Sequence, residues 1–376
     1  MVTVRPVVNS KDLKAFIMLP FRLYRDDPNW VAPLIGEQKK FFNPRKNPYY
    51  LHSEVMLFLA HKDGKVVGRI SAQTNTQHNK EHKDNIGFFG FFECEDDQQV
   101  ANALFDAALE WNRYRGRTAM RGPLNFSVNQ ECGLLVDGFD CPPMVMMRHD
   151  KRYYQKLFEN YPGMQKTMDL YAYLAERKEM PERVERAANL IQKRTKVDIR
   201  SLSRDKKQLR KDIETVFKIY TKAWESNWGE VPMTDAEFDH LVNELLPIAD
   251  PDLVFIAEVE GQPAGFSLAL PNYNEVLKVM HGRVNPVTII KALLAKRRIS
   301  SARVLTMGVI KEFQGRGIDT LFYYHQYKNG LPKGLFRGEF SWVLENNTMM
   351  IRVAEMLGAT IYKTYRLYDR AIPENC

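Results

Sequence analysis

At 376 residues the chain is too long for one ordinary core and suits two domains of roughly 100 to 200 residues each. Its 44% hydrophobic and 27% charged residues are those of a globular protein, no run approaches the roughly 18 apolar residues of a membrane span, and Arg5, Pro6, Lys11, Asp12 and Lys14 break up the apolar stretch a leader would need, so a cytoplasmic protein is expected. The net charge of +8 favours an anionic ligand without naming it, and Cys94, Cys132, Cys141 and Cys376, with no C-x-x-C pair, argue against a zinc ribbon or disulfide framework, so no metal is expected.

In chain order, the first strand-like run begins at Val4-Arg5, and Ile199-Arg200 repeats it 195 positions later. Asn29-Trp30 recurs as Asn227-Trp228. Phe58, Ala60, Gly64 and Gly68 recur as Phe255, Ala257, Gly261 and Gly265, each at an offset of 197. Gly163, which ends a helical run before a strand, recurs as Gly358. Four segments in one order and nearly one register indicate a duplicated domain. The expected division is 1–175, a linker over 176–196 and 197–376. The linker is rich in Glu, Arg and Lys, and Val184, Ala187, Ala188 and Ile191 at helical spacing predict a helix.

The second copy is the more legible. A hairpin is predicted over 253–270 around the turn Glu260-Gly261-Gln262. An additional stretch, 272–302, contains a helix start at Asn285-Pro286, an apolar body from Val287 to Leu294 and a basic end at Lys296-Arg297-Arg298. This stretch suits a lid or a second-substrate wall, and equally a cover for a domain interface. A strand over 303–310 then leads through Gln314-Gly315-Arg316-Gly317 into a helix over 319–328. A strand over 338–344, a helix over 348–357 and a strand over 360–369 follow. Strands alternating with helices around an antiparallel hairpin predict an α/β (α+β) fold with a mixed, mostly antiparallel sheet in each copy.

Glycines after a strand let backbone N–H groups approach a phosphate, and the following helix N-terminus adds partial positive charge. This order of elements, with the run V-I-K-E-F-Q-G-R-G-I-D, resembles the GNAT (GCN5-related N-acetyltransferase) superfamily, whose pyrophosphate loop reads Q/R-x-x-G-x-G/A. Gln314 takes the first position and Gly317 the fourth. The resemblance implies an N-acyltransferase using acetyl-CoA or another acyl-CoA. Val309, Gln314, Gly315, Arg316, Gly317, Ile318 and Asp319 would hold the cofactor, and the backbone at Val309 and Ile310 would polarise the thioester. A side chain at Gly317 is expected to block the diphosphate. Asp319 departs from the usual sixth residue and is read as a helix cap. Ala354 stands where many relatives carry a tyrosine general acid. Glu345, at the end of the strand over 338–344, is the candidate general base.

The equivalent turn in the first copy reads Glu93-Cys94-Glu95-Asp96-Asp97-Gln98, with four carboxylates and no glycine. That copy is expected to bind no cofactor and to shape the substrate cleft, as non-catalytic halves do in tandem families such as the Fem-like peptidyltransferases. The acceptor is expected to be a small-molecule or peptide amine, and nucleic acid is not expected as a partner. Two other classes stay open, a Fem-like tRNA-dependent aminoacyl transferase and a non-catalytic protein that binds coenzyme A or an acyl chain. His78-Asn79-Lys80-Glu81-His82 matches an inverted zinc-protease pattern, but its polar flanks predict a solvated loop.

Overall fold

The computed structural model describes residues 1–224, 228–229 and 231–373. Asn227 of the repeat and Cys376 lie outside the described residues. Contacts divide the chain into two compact units. One comprises Met1–Tyr171 with Leu277–Ala292 and the chain from Tyr362 onward; the other comprises Ala172–Val276 with Leu293–Ile361. The first unit thus ends near the expected boundary at residue 175 and also takes in Leu277–Ala292 and most of the last strand.

The first part of the chain runs β1 (Val2–Pro6), α1 (Ser10–Leu23), α2 (Ile35–Phe41), β2 (Val55–Lys62), β3 (Lys65–Gln73), α3 (Thr76–His82), β4 (Ile86–Cys94), α4 (Gln98–Tyr114), β5 (Ala119–Gly122), β6 (Leu134–Asp137), α5 (Tyr154–Glu159) and β7 (Met164–Glu176). β1, β2, β3 and β4 pair antiparallel in sequence order, and β5 joins β4 in parallel from Ile86↔Ala119 to Phe88↔Arg121. Val100, Ala101, Leu104, Phe105 and Ala108 recur at helical spacing along α4 and are fully buried in an aromatic core with Phe89, Phe92 and Phe158. A second cluster of Phe16, Phe42, Phe91 and Phe126 packs α1 and the chain after α2.

After the helix α6 (Glu182–Arg194) come β8 (Val197–Ser201), α7 (Lys206–Trp224), α8 (Asp235–Leu245), β9 (Val254–Val259), β10 (Gln262–Pro271), α9 (Asn274–Met280), α10 (Pro286–Lys296), β11 (Ser301–Val309), α11 (Ile318–Gly330), β12 (Arg337–Leu344), α12 (Thr348–Met356) and β13 (Thr360–Ala371). The second unit repeats the pairing scheme: β8, β9, β10 and β11 are antiparallel in order, and β12 joins β11 in parallel. Phe255, Ala257, Ala264, Ile318 and Phe322 form a core beneath α11. In the first unit, β13 pairs with β5 from Tyr368↔Gly122 to Ala371↔Ala119 and with β6 through Arg366↔Leu134. Each unit is thus a mixed, mostly antiparallel sheet with helices on it. Among the described residues no helix is long and apolar enough to cross a membrane.

The segment 78–82 is not the solvated loop its polar flanks predicted. It lies in α3, which Asn75 caps through the amides of Gln77 and His78, and His78 is buried 3.3 Å from the Asp84 carboxylate. Burial lowers the His78 pKa to about 4, so the ring is neutral at physiological pH.

Candidate functional site

β11 and β12 begin as neighbours and then part. Their registered pairs run from Ser301↔Arg337 to Val304↔Phe340, although β11 continues to Val309 and β12 to Leu344. β11 stays paired with β10 as far as Gly265↔Val309. The Ile310 amide donates to the Ala264 carbonyl at 2.8 Å. That bond makes Gly265↔Val309 a non-hydrogen-bonded antiparallel pair, so the Val309 N–H turns away from β10, toward the side on which β12 diverges. The two backbone candidates therefore differ. Val309 offers a donor to the opening, whereas the Ile310 amide is already spent on Ala264, which corrects the expectation that Ile310 could share the role.

Beyond Val309 a short turn, Lys311–Phe313, leads into Gln314, whose Nε2 donates to the Val309 carbonyl at 3.1 Å. The chain then passes through Gly315 and Gly317, with φ of 76° and 77°, a region where a side chain is strained. Gln314, Gly315, Arg316 and Asp319 are exposed. Amides from Gly315 to Thr320 find no acceptor among the described residues, and the first that does, Leu321, returns to the Gly317 carbonyl. Gly317 is the N-cap of α11 and no side chain caps it. Asp319 sits inside the first turn and is not the cap it was expected to be. The result is a row of unused donors at a helix N-terminus, the backbone arrangement that holds phosphate. A Cβ at Gly315 would meet nothing within 4 Å, but one at Gly317 would come within 2.5 Å of Ile191 Cδ1 on α6. The missing side chain of Gly317 therefore leaves room for the packing of α6. Gly315 is the glycine that faces open space.

The matching turn of the first copy is built to the opposite effect. Asp97 caps α4, accepting from the amides of Gln99 at 2.9 Å and Val100 at 3.4 Å, and is held by Lys62 at 2.5 Å. Glu95 pairs with Arg22 at 2.5 Å. Glu93 does not stand in the turn with the other carboxylates as its sequence position suggested. It lies buried in β4, 3.6 Å from Arg69, and accepts from the Tyr154 hydroxyl at 2.8 Å; burial raises its pKa. The divergence of β4 from β5 is also filled. A Cβ at Gly90 would fall 1.8 Å from the Leu124 carbonyl oxygen, and Asn125 Oδ1 accepts from the Phe91 amide at 2.8 Å.

No protein-family model matches the chain. It is 40% identical over 384 aligned positions to the bacterial ceramide synthase of Caulobacter vibrioides, covering 98% of this chain and 97% of that protein. The chain belongs to the family of that ceramide synthase. Protein YghO of Escherichia coli is similar as well, at 36% identity over 98% of this chain and 95% of its own. A tandem GNAT protein from the clavulanic acid biosynthesis pathway superposes over the full length of both chains with a TM-score of 0.58 and 11% identity, and so shares the fold. The chain thus carries two tandem copies of the GNAT fold.

Other parts of the second copy were less visible in its sequence. Where β11 and β12 are about to part, Arg303 and Glu339 pair in register and are 1% and 0% exposed. Arg303 Nε donates to Ser341 Oγ at 2.8 Å, and Ser341 donates to Glu339 at 2.5 Å. The Arg303 guanidinium lies 4.9 Å from the Trp342 ring centre. This buried cluster locks the two strands at the apex of their opening. Glu345 immediately follows β12 and is half-buried, next to Asn347, which caps α12 through the Met350 amide. Ala354 is buried on α12 and brings no hydroxyl. Tyr323 is core, its ring 5.7 Å from that of Phe340.

Proposed function

We propose that the chain transfers an acyl group from an acyl-CoA to the amino group of a long-chain amino alcohol, forming the amide bond of a ceramide-type lipid. The observation that carries this reading is the pairing of two features in one copy: a row of unused amides from Gly315 to Thr320, and a free Val309 N–H at the strand opening. The ceramide synthase name of the 40% identical relative supports the acceptor class and favours a long acyl chain over the acetyl group that the superfamily's name suggests. Acyl-CoA is a cytoplasmic metabolite, so we assign the reaction to the cytoplasm.

In the transfer, the amine nitrogen bonds to the thioester carbon, the C–S bond breaks, and coenzyme A leaves as a thiolate that takes up, through solvent, the second proton shed by the nitrogen. In this reading the backbone donors from Gly315 to Thr320 hold the diphosphate, with Arg316 supplying a cation beside them. Val309 N–H would stabilise the negative charge that develops on the carbonyl oxygen. Glu345 takes the proton from the attacking ammonium, directly or through water. No residue of α12 at the Ala354 position donates to the thiolate, whose low basicity relative to an alkoxide makes a dedicated acid less necessary. The test is to incubate the protein with a long-chain acyl-CoA and sphinganine, following free thiol and the amide product by mass spectrometry. Amide formed in step with thiol supports the reading; thiol release without amide, or no turnover across a panel of chain lengths and long-chain amines, overturns it.

A further inference from the structure

The helix α10 wears its apolar residues on the outside. Val287, Ile289, Ile290, Leu293 and Leu294 are between 45% and 61% exposed, and no residue of the helix is buried. At 100° per residue these five fall within an arc of about 160°. The opposite side carries small groups, Thr288, Ala292 and Ala295, and these are the half-buried ones. The helix is well formed, because Asn285 Oδ1 accepts from the Thr288 amide at 3.1 Å and Thr288 Oγ1 accepts from the Asn285 amide at 2.9 Å. An ordinary surface helix has the reverse arrangement, with large apolar groups inward.

Its charge says what could cover it. From Val276 to Lys311 the chain carries no aspartate or glutamate. Lys291 and Lys296 lie at the two edges of the apolar arc, and Arg297, Arg298 and Arg283 follow or precede it, all exposed; the Lys296 ammonium also lies 5.7 Å from the Tyr273 ring centre. A second copy of the chain laid on this face would bring like charges together. An anionic bilayer satisfies both halves of the surface, since the apolar arc enters the acyl boundary while the lysine stems carry their charges up to the headgroups. Eleven residues make a helix of about 16 Å, too short to span and suited to lying flat in the interface.

We propose that α10 docks the protein on an anionic lipid surface. This inference stands apart from the identity of the acyl acceptor. The full chain is mixed with vesicles of phosphatidylcholine, or of phosphatidylcholine with about 30% phosphatidylglycerol, and sedimented at rising salt. Wild type should sediment with the anionic vesicles, weakly with the neutral ones, and progressively less as salt increases. Ile290→Asp with Leu294→Asp should weaken that binding by about tenfold or more, with the melting temperature moved by no more than about 2 °C because both side chains are exposed. Wild type left in the supernatant with anionic vesicles at low salt overturns the proposal, as does undiminished binding by the double variant. A wild-type dimer in sedimentation velocity that the same variant converts to monomer, with no vesicle binding, assigns the face to a second copy and overturns it too.

Discussion

Glu345 sits at the end of the strand that diverges from β11, half-buried, where an attacking amine would lose its proton. Glu345→Gln should lower turnover about 100-fold or more near neutral pH and leave acyl-CoA affinity unchanged; steady-state kinetics with turnover at the wild-type rate would remove this residue from the chemistry. His78 makes a prediction about stability. Its folded pKa of about 4 lies below the ordinary value of 6.5, so the folded state resists protonation. The stability this residue allows is complete above pH 6.5 and is lost as pH falls toward 4, by about 3 kcal/mol at the lower limit. Denaturant titrations of wild type and His78→Gln should show a smaller acid loss in the variant; identical pH dependence would contradict it. Neither His78 in a helix nor the Arg303–Glu339–Ser341 cluster was legible in the sequence. The strand expected over 338–344 carried no local sign that Glu339 and Ser341 are buried; the partner that buries them, Arg303 on β11, lies 36 positions before Glu339.

At the scale of elements, α6 packs against α11, and Gly317 lies where a Cβ would meet Ile191 of α6. Gly317→Ala combines a φ of 77° with a Cβ 2.5 Å from Ile191 Cδ1, so it should cost about 2 kcal/mol or more. Adding Ile191→Ala removes the clash but not the backbone strain. The double variant should therefore be more stable than the two single costs added together, by about 1 kcal/mol, in thermal or denaturant unfolding; strict additivity would deny the contact. The hairpin, β11, α11, β12 and α12 all fell within about two residues of their expected limits, because turn glycines and helical periodicity are local signals. The glycine turn before α11 was legible, but not the different surroundings of its two glycines, which depend on where α6 lies. The contribution of β13 to the first unit was not legible either, since Tyr368↔Gly122 joins residues 246 positions apart and no local pattern specifies such a pairing.

For the whole molecule, that contribution has a direct consequence. Residues 197–376 expressed alone would carry Tyr365, Leu367 and Tyr368, each at most 1% exposed in the intact chain, without the β5 and β6 strands they pair with. The fragment should bind an apolar-surface dye strongly and unfold at a lower temperature than the full chain; a fragment that binds no dye and melts as the full chain does would contradict this. In the function proposed above, duplication left one cofactor site, in the second copy, where α11 begins with unused amides while Asp97 fills the same position on α4. Titration calorimetry with acyl-CoA on wild type, Gly315→Glu and Glu95→Gln decides this. One site per chain is expected, with affinity reduced at least about 100-fold by Gly315→Glu, which sets a carboxylate in the open space before the helix, and little changed by Glu95→Gln. Two sites per chain, or binding lost with the Glu95 change and spared by the Gly315 change, would contradict it.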